Sequence, residues 1–161
     1  MSGFVVKKDW LLPPAELTEK TTFPDPEDVP KTLKFDLKKL KSINSYGIRN
    51  LIQFIRQHPD RPLEYHNCPV LFVETLNIVR ELMGRDRNPQ TVKSLSLPYH
   101  CEGCNRFDER LVLSSSIILE DEATHGQPPF ECKKCGEPMI LDVKENDYLR
   151  SEEHTSELQS H

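Results

Sequence analysis

Apolar and polar positions switch period several times along the chain, and the switches mark its elements. From Thr32 onward, Leu33, Phe35 and Leu37 alternate with Lys34, Asp36 and Lys38, the two-residue period of a strand with one wetter face. After Leu40 the period lengthens. Ile48, Leu51, Ile52 and Ile55 form an i, i+3, i+4, i+7 stripe, which predicts an amphipathic helix over Ile48–His58 with Asn44 or Ser45 as N-cap. His58-Pro59-Asp60 ends it. Pro62–Tyr65 reads as a second strand. Asn67-Cys68-Pro69 opens a second helix whose apolar side is Phe72, Val73, Leu76, Val79, Leu82 and Met83, with Gly84 as its stop. Val92–Leu97 is a further strand, leading through Pro98-Tyr99-His100.

The first thirty residues are less regular. Phe4–Lys7 suits a short strand and Glu16–Phe23 a turn of helix, between prolines at 13, 14, 24, 26 and 30. The order strand, helix, strand, helix, strand implies an α/β fold, an open sheet with right-handed crossovers.

Four cysteines carry the clearest chemistry. Cys101-Glu102-Gly103-Cys104 and Cys132-Lys133-Lys134-Cys135 are matched knuckles with 27 residues between them. Two residues between thiols let both sulfurs of a pair face one point, so two knuckles can close a tetrahedral shell at about 2.3 Å around Zn²⁺. Four thiolates imply one closed, structural zinc per chain, without the open position that catalysis needs. Leu111–Leu119 and Glu137–Val143 are expected to form the hairpin of this small β zinc ribbon, with Gly126-Gln127-Pro128-Pro129 on its loop. A disulfide pair or a dithiol redox centre is the competing reading. His66 and His100, close in sequence to Cys68 and Cys101, are candidates for support of the site or for replacing a thiolate, and a satisfied structural histidine is the preferred reading of each. Cys68 stands alone and reads as a buried, inert thiol.

Charge narrows the partners. Residues 1–100 carry 15 Lys/Arg against 12 Asp/Glu, whereas residues 101–149 carry 5 against 11. The ribbon is acidic, with Glu120-Asp121-Glu122 near its expected tip, and phosphate binding needs the opposite sign. Nucleic acid is a poor partner, and a nucleic-acid-binding ribbon or a thiol redox or metal sensor are the alternatives to the reading below. Mean hydropathy is −0.60, and neither a membrane-length apolar run nor a secretory leader is expected, so the thiols suit a reducing, cytoplasmic compartment. No Gly-rich phosphate loop, metalloprotease helix or nucleophile beside a base is evident, and the chain reads as non-enzymatic. Residues 150–161, RSEEHTSELQSH, resemble a translated sequencing adapter and are set aside; a terminal helix beginning near Glu145 is expected to be cut short by them.

Leu33–Leu51, LKFDLKKLKSINSYGIRNL, resembles the central strand–loop–helix of STAS domains, the fold of bacterial anti-sigma-factor antagonists. Asp36-Leu37 matches the strand end, and Ile43-Asn44-Ser45-Tyr46-Gly47-Ile48 matches the loop and helix start. Asn67–Val79 resembles the later segment that begins the next helix. The whole is similar to small bacterial STAS-like proteins that carry a four-cysteine ribbon after the last strand. The resemblance implies a STAS-like domain over 1–100 (1–15 poorly defined) and a zinc ribbon over 101–149. It also implies a signalling role through a protein partner such as an anti-sigma-type kinase. Ser45 then occupies the phosphoacceptor position within the loop motif Asp36, Asn44, Ser45, Gly47. Two departures stand out: Asn44 replaces an aspartate, and bulky Tyr46 replaces a small residue. A plain helix cap is the competing role for Ser45. Lys34, Lys38, Lys39 and Lys41 could form an anion-attracting face beside it or simply a solvated surface, and Tyr46 and Phe54 an exposed aromatic face or part of the core.

Overall fold

A computed structural model describes residues 3–84, 91–114 and 130–142. The expected elements within 115–129 and beyond Asp142, the acidic tip and the adapter-like residues among them, lie outside these. The described chain is mixed α/β. Its main sheet has the order β1-β2-β4-β6, from strands Val5–Lys7, Trp10–Leu12, Leu33–Asp36 and Leu63–His66. β1 and β2 form an antiparallel pair; β2–β4 and β4–β6 are parallel. A small parallel pair joins β3 (Glu16–Leu17) to β5 (Ser42–Ile43).

Alternation in β4 turns Leu33 and Phe35 into the core and Lys34 and Asp36 outward. Helix α1, Ser45–Arg56, buries Gly47, Leu51, Phe54 and Ile55, the side that its period-3.6 stripe requires. Helix α2, Val70–Ile78, buries Phe72, Val73 and Leu76. Aromatic rings run through the core as a connected series. Phe4 stacks on Phe23 at 4.8 Å, Phe23 on Phe54 at 4.9 Å and Phe35 on Tyr65 at 5.5 Å, with Phe72 4.9 Å beyond Tyr65. Phe54 is thus a core residue, which removes it from any exposed aromatic face.

Two expected elements of the first hundred residues take another form. Glu16–Phe23 holds no helix turn: Leu17 is fully buried in β3, and Thr21 Oγ1 accepts from Thr18 N at 2.9 Å to close a turn after it. The second helix breaks at Val79, and Arg80–Met83 continues as a 3₁₀ turn. Leu82 and Met83 stay buried, and the Tyr65 hydroxyl donates to the Leu82 carbonyl, fixing the tighter path.

Among the described residues, the two ribbon strands do not pair with each other. β7, Ser94–His100, runs past the expected end at Leu97 and lies at the centre of an antiparallel sheet, β8-β7-β9. β8 is Phe107–Leu113, earlier than the expected Leu111–Leu119; β9 is only Ile140–Leu141 within the expected Glu137–Val143. Each takes one edge of β7, so its long register replaces the hairpin.

The same strand also reaches the main sheet. Lys93 N donates to Tyr65 O at 2.8 Å, Cys68 N to Ser94 O at 3.1 Å, and Ser96 N to Cys68 O at 2.8 Å. Between these contacts Asn67 adopts φ 56°, and its N–H turns to Ser94 Oγ at 2.6 Å. No helix among the described residues is long and apolar enough to cross a membrane.

Candidate metal centre and helix-start loop

Both knuckles are built alike. Cys101 N donates to Arg106 O, and Cys132 N to Glu137 O, each at 2.8 Å. The residue after the second thiol is left-handed in both: Asn105 at φ 59° and Gly136 at φ 79°. Asparagine and glycine are the residue types that take this conformation most cheaply. Asn105 is further held by His100, whose Nε2 lies 2.7 Å from its Oδ1, and the His100 ring stacks on Phe107 at 4.5 Å. Gly103 lets the knuckles close on each other, since a Cβ there would sit 3.1 Å from Glu137 Cγ and 3.5 Å from Cys135 Sγ.

These loops bring all four sulfurs of Cys101, Cys104, Cys132 and Cys135 within 4.8 Å of one another. Two close contacts cross between knuckles, 3.4 Å for Cys101–Cys135 and 3.5 Å for Cys104–Cys132. A disulfide would require about 2.05 Å, and all five cysteines are free. A tetrahedron of sulfurs at 2.3 Å from a central ion has edges of about 3.8 Å. The cluster therefore has the dimensions of a metal site. Cys101 and Cys132 are buried, Cys104 is half-buried and Cys135 exposed.

The sulfurs also compete for protons. The Cys135 N–H, assisted by that of Lys134, stabilises the Cys132 thiolate and lowers its pKa to about 6. At Cys135 the Glu137 N–H pulls downward, but proton sharing with Cys101 and burial prevail and push the thiol up to about 12. Cys104 is also raised, by burial first and then by sharing with Cys132 and Cys101. Crowded sulfurs cannot all ionise without a cation, and a divalent ion bound here would replace the shared protons.

Neither histidine joins this group. His66 Nε2 pairs with Glu64 Oε1 at 2.9 Å and its ring meets Trp10 edge-on at 4.7 Å, while His100 braces Asn105. Cys68 is fully buried, and burial raises its thiol far above the usual range.

The helix-start loop is assembled from the strand before it. Asp36 ends β4, and its Oδ1 accepts from Lys38 N at 3.2 Å and from Asn67 Nδ2 at 2.9 Å, tying the two loops together. Lys41 N and Ser42 N donate to Ala15 O, and Asn44 N to Leu17 O. Asn44 is the N-cap: its Oδ1 accepts from Gly47 N at 2.8 Å, while its Nδ2 donates to Glu19 Oε2 at 3.2 Å. Ser45 is thereby relieved of capping and sits exposed at the first helical position. Tyr46 is 54% exposed with the Arg49 guanidinium 5.6 Å from its ring centre. Gly47 is buried because the helix start presses on β3; a Cβ there would lie 2.4 Å from Leu17 O. Lys38, Lys39 and Lys41 are exposed in the loop, whereas Lys34 projects from the sheet over Trp10 at 4.6 Å and belongs to another surface.

Glu19, the Arg106 and Glu137 carbonyls and the bond from Asn67 to Asp36 escaped the sequence reading. The Asn or Gly directly after each second cysteine offered a local signal for the two carbonyls alone. Comparison with protein-family models, with curated proteins and with solved structures finds no match for this chain.

Proposed function

We propose that this protein is a non-enzymatic, STAS-like interaction module of bacterial signalling, cytoplasmic, with one structural zinc per chain. The observation that carries the docking role is the exposed Ser45-Tyr46 pair at the start of α1, where Asn44 performs the capping and Gly47 fixes the helix against β3. A phosphoryl group on Ser45 would meet the free N–H groups and positive dipole of the helix start. It would add about −1.5 to −2 charges beside Glu19 and the loop lysines, changing which protein surface fits there. Zinc is favoured by the donor set, since four soft thiolates at tetrahedral spacing select it over ions that prefer oxygen ligands.

Two measurements test the parts separately. Elemental analysis of purified protein should return one zinc per chain, and a metal-free protein with intact fold would overturn the cofactor assignment. Affinity capture with the wild-type chain, Ser45→Asp and Tyr46→Ala should recover a regulatory protein whose retention changes with either substitution. A partner retained equally by all three would remove the loop from the interface.

A further inference from the structure

We propose that the groove between β1 and the Phe23–Asp28 segment is a second docking site, for a peptide segment that carries lysine or arginine beside apolar side chains. Phe4, Val6, Phe23, Pro24, Asp25 and Asp28 line a groove of about 480 Å³, within the usual range for side-chain-sized ligands. Its floor, formed by Phe4, Val6, Phe23 and Pro24, is firmly supported. Phe4 stacks on Phe23, which stacks on the buried Phe54, so the exposed ring edges rest on the core. Its rim is acidic. Between Thr21 and Pro30 the chain has Asp25, Glu27 and Asp28 and no lysine or arginine.

The only ion pairs among the described residues lie elsewhere, at Lys38–Asp36, His66–Glu64 and Arg106–Asp108. The rim carboxylates thus have no ion-pair partner among the described residues, and their charge favours a cationic occupant. The rim is also preorganised, which lowers the entropy cost of binding. Pro24, Pro26 and Pro30 restrict its backbone, and Arg61 Nη1 reaches across to the Val29 and Pro30 carbonyls. An extended segment is the shape that fits: β1 is the outer strand of its sheet and borders the groove, and beyond the Phe4 N–H bond to Thr22 O (2.9 Å) its outer edge makes no further backbone bond among the described residues. This site does not depend on the Ser45 loop.

The test is a nuclear magnetic resonance titration of the full chain with capped heptapeptides. A peptide alternating lysine and leucine should give saturable amide shifts at Phe4, Val6, Phe23, Asp25 and Asp28, weakened by added salt. Peptides with glutamate for lysine, or serine for leucine, should give none. The variant Asp25→Asn/Asp28→Asn changes two exposed side chains and should bind about tenfold more weakly with its fold unchanged, while Ser45→Ala should bind normally. Shifts mapping elsewhere, equal binding of the glutamate peptide, undiminished binding by the double variant, or filling of the groove by self-association would each overturn the proposal.

Discussion

Replacing Gly47 with alanine separates two effects that usually oppose each other quietly. In an exposed helix position the change should stabilise by about 1 kcal/mol, because alanine is the better helix former. Here the added Cβ would lie 2.4 Å from Leu17 O, 2.5 Å from Leu17 C and 2.9 Å from Thr18 N. All three are backbone atoms, so no flexible side chain can yield. Restoring a tolerable contact requires moving β3 or the helix start by at least about 0.6 Å. Leu17 is fully buried, its carbonyl accepts from Asn44 N, and Ala15 O accepts from Lys41 N and Ser42 N. Overpacking costs of about 1–3 kcal/mol, plus about 1 kcal/mol for each weakened hydrogen bond, outweigh the propensity gain. The expected net loss is about 2–4 kcal/mol, or roughly 5–15 °C in Tm for a chain of this size. Urea unfolding followed by the fluorescence of the single tryptophan, Trp10, measures it. A Gly47→Ala protein as stable as wild type would refute the account of why this position lacks a side chain.

Asn44→Ala should cost about 1 kcal/mol by removing the α1 cap, whereas Ser45→Ala should leave unfolding nearly unchanged, and urea titrations of both distinguish the two positions. Cys68 should resist iodoacetamide in the native state at pH 8, since its thiol is buried and held protonated, and react only on unfolding, as read by mass spectrometry; rapid native labelling would contradict its placement. Metal retention should fall on acidification. The metal-bound cluster holds fewer protons than the empty one, whose thiols ionise from about 6 at Cys132 to about 12 at Cys135, so affinity rises with pH across that span. Zinc release followed with a chromogenic chelator checks the sign. Cys132→Ser should abolish stoichiometric zinc and lower the thermal stability of the ribbon, with metal content and calorimetry as the two readings.

Legibility in the sequence followed the range of the interactions. The alternation of Leu33, Phe35 and Leu37 and the stripe of α1 are local patterns with one buried face, and both elements formed where they pointed. The four thiols were legible because two-residue spacing constrains sulfur direction before any tertiary contact exists. Other features depend on distant partners. Glu16–Leu17 is a strand because β5 and Asn44 need its backbone, and the second helix tightens after Ile78 where Tyr65 claims a carbonyl. The pairing of β8 and β9 with β7 is a competition between edges, and periodicity does not report it. At the Ser45 loop, the choice between Asn44 and Ser45 as cap is a matter of one residue of register, settled by the Gly47 N–H and the Glu19 carboxylate.

One strand, β7, belongs to both halves of the molecule: its start is bonded to Tyr65 and Cys68, and its far end runs straight into Cys101. Loss of an ion held by the four thiols would therefore not stay confined to the distal lobe, because slack in that strand propagates to the bonds that anchor α2.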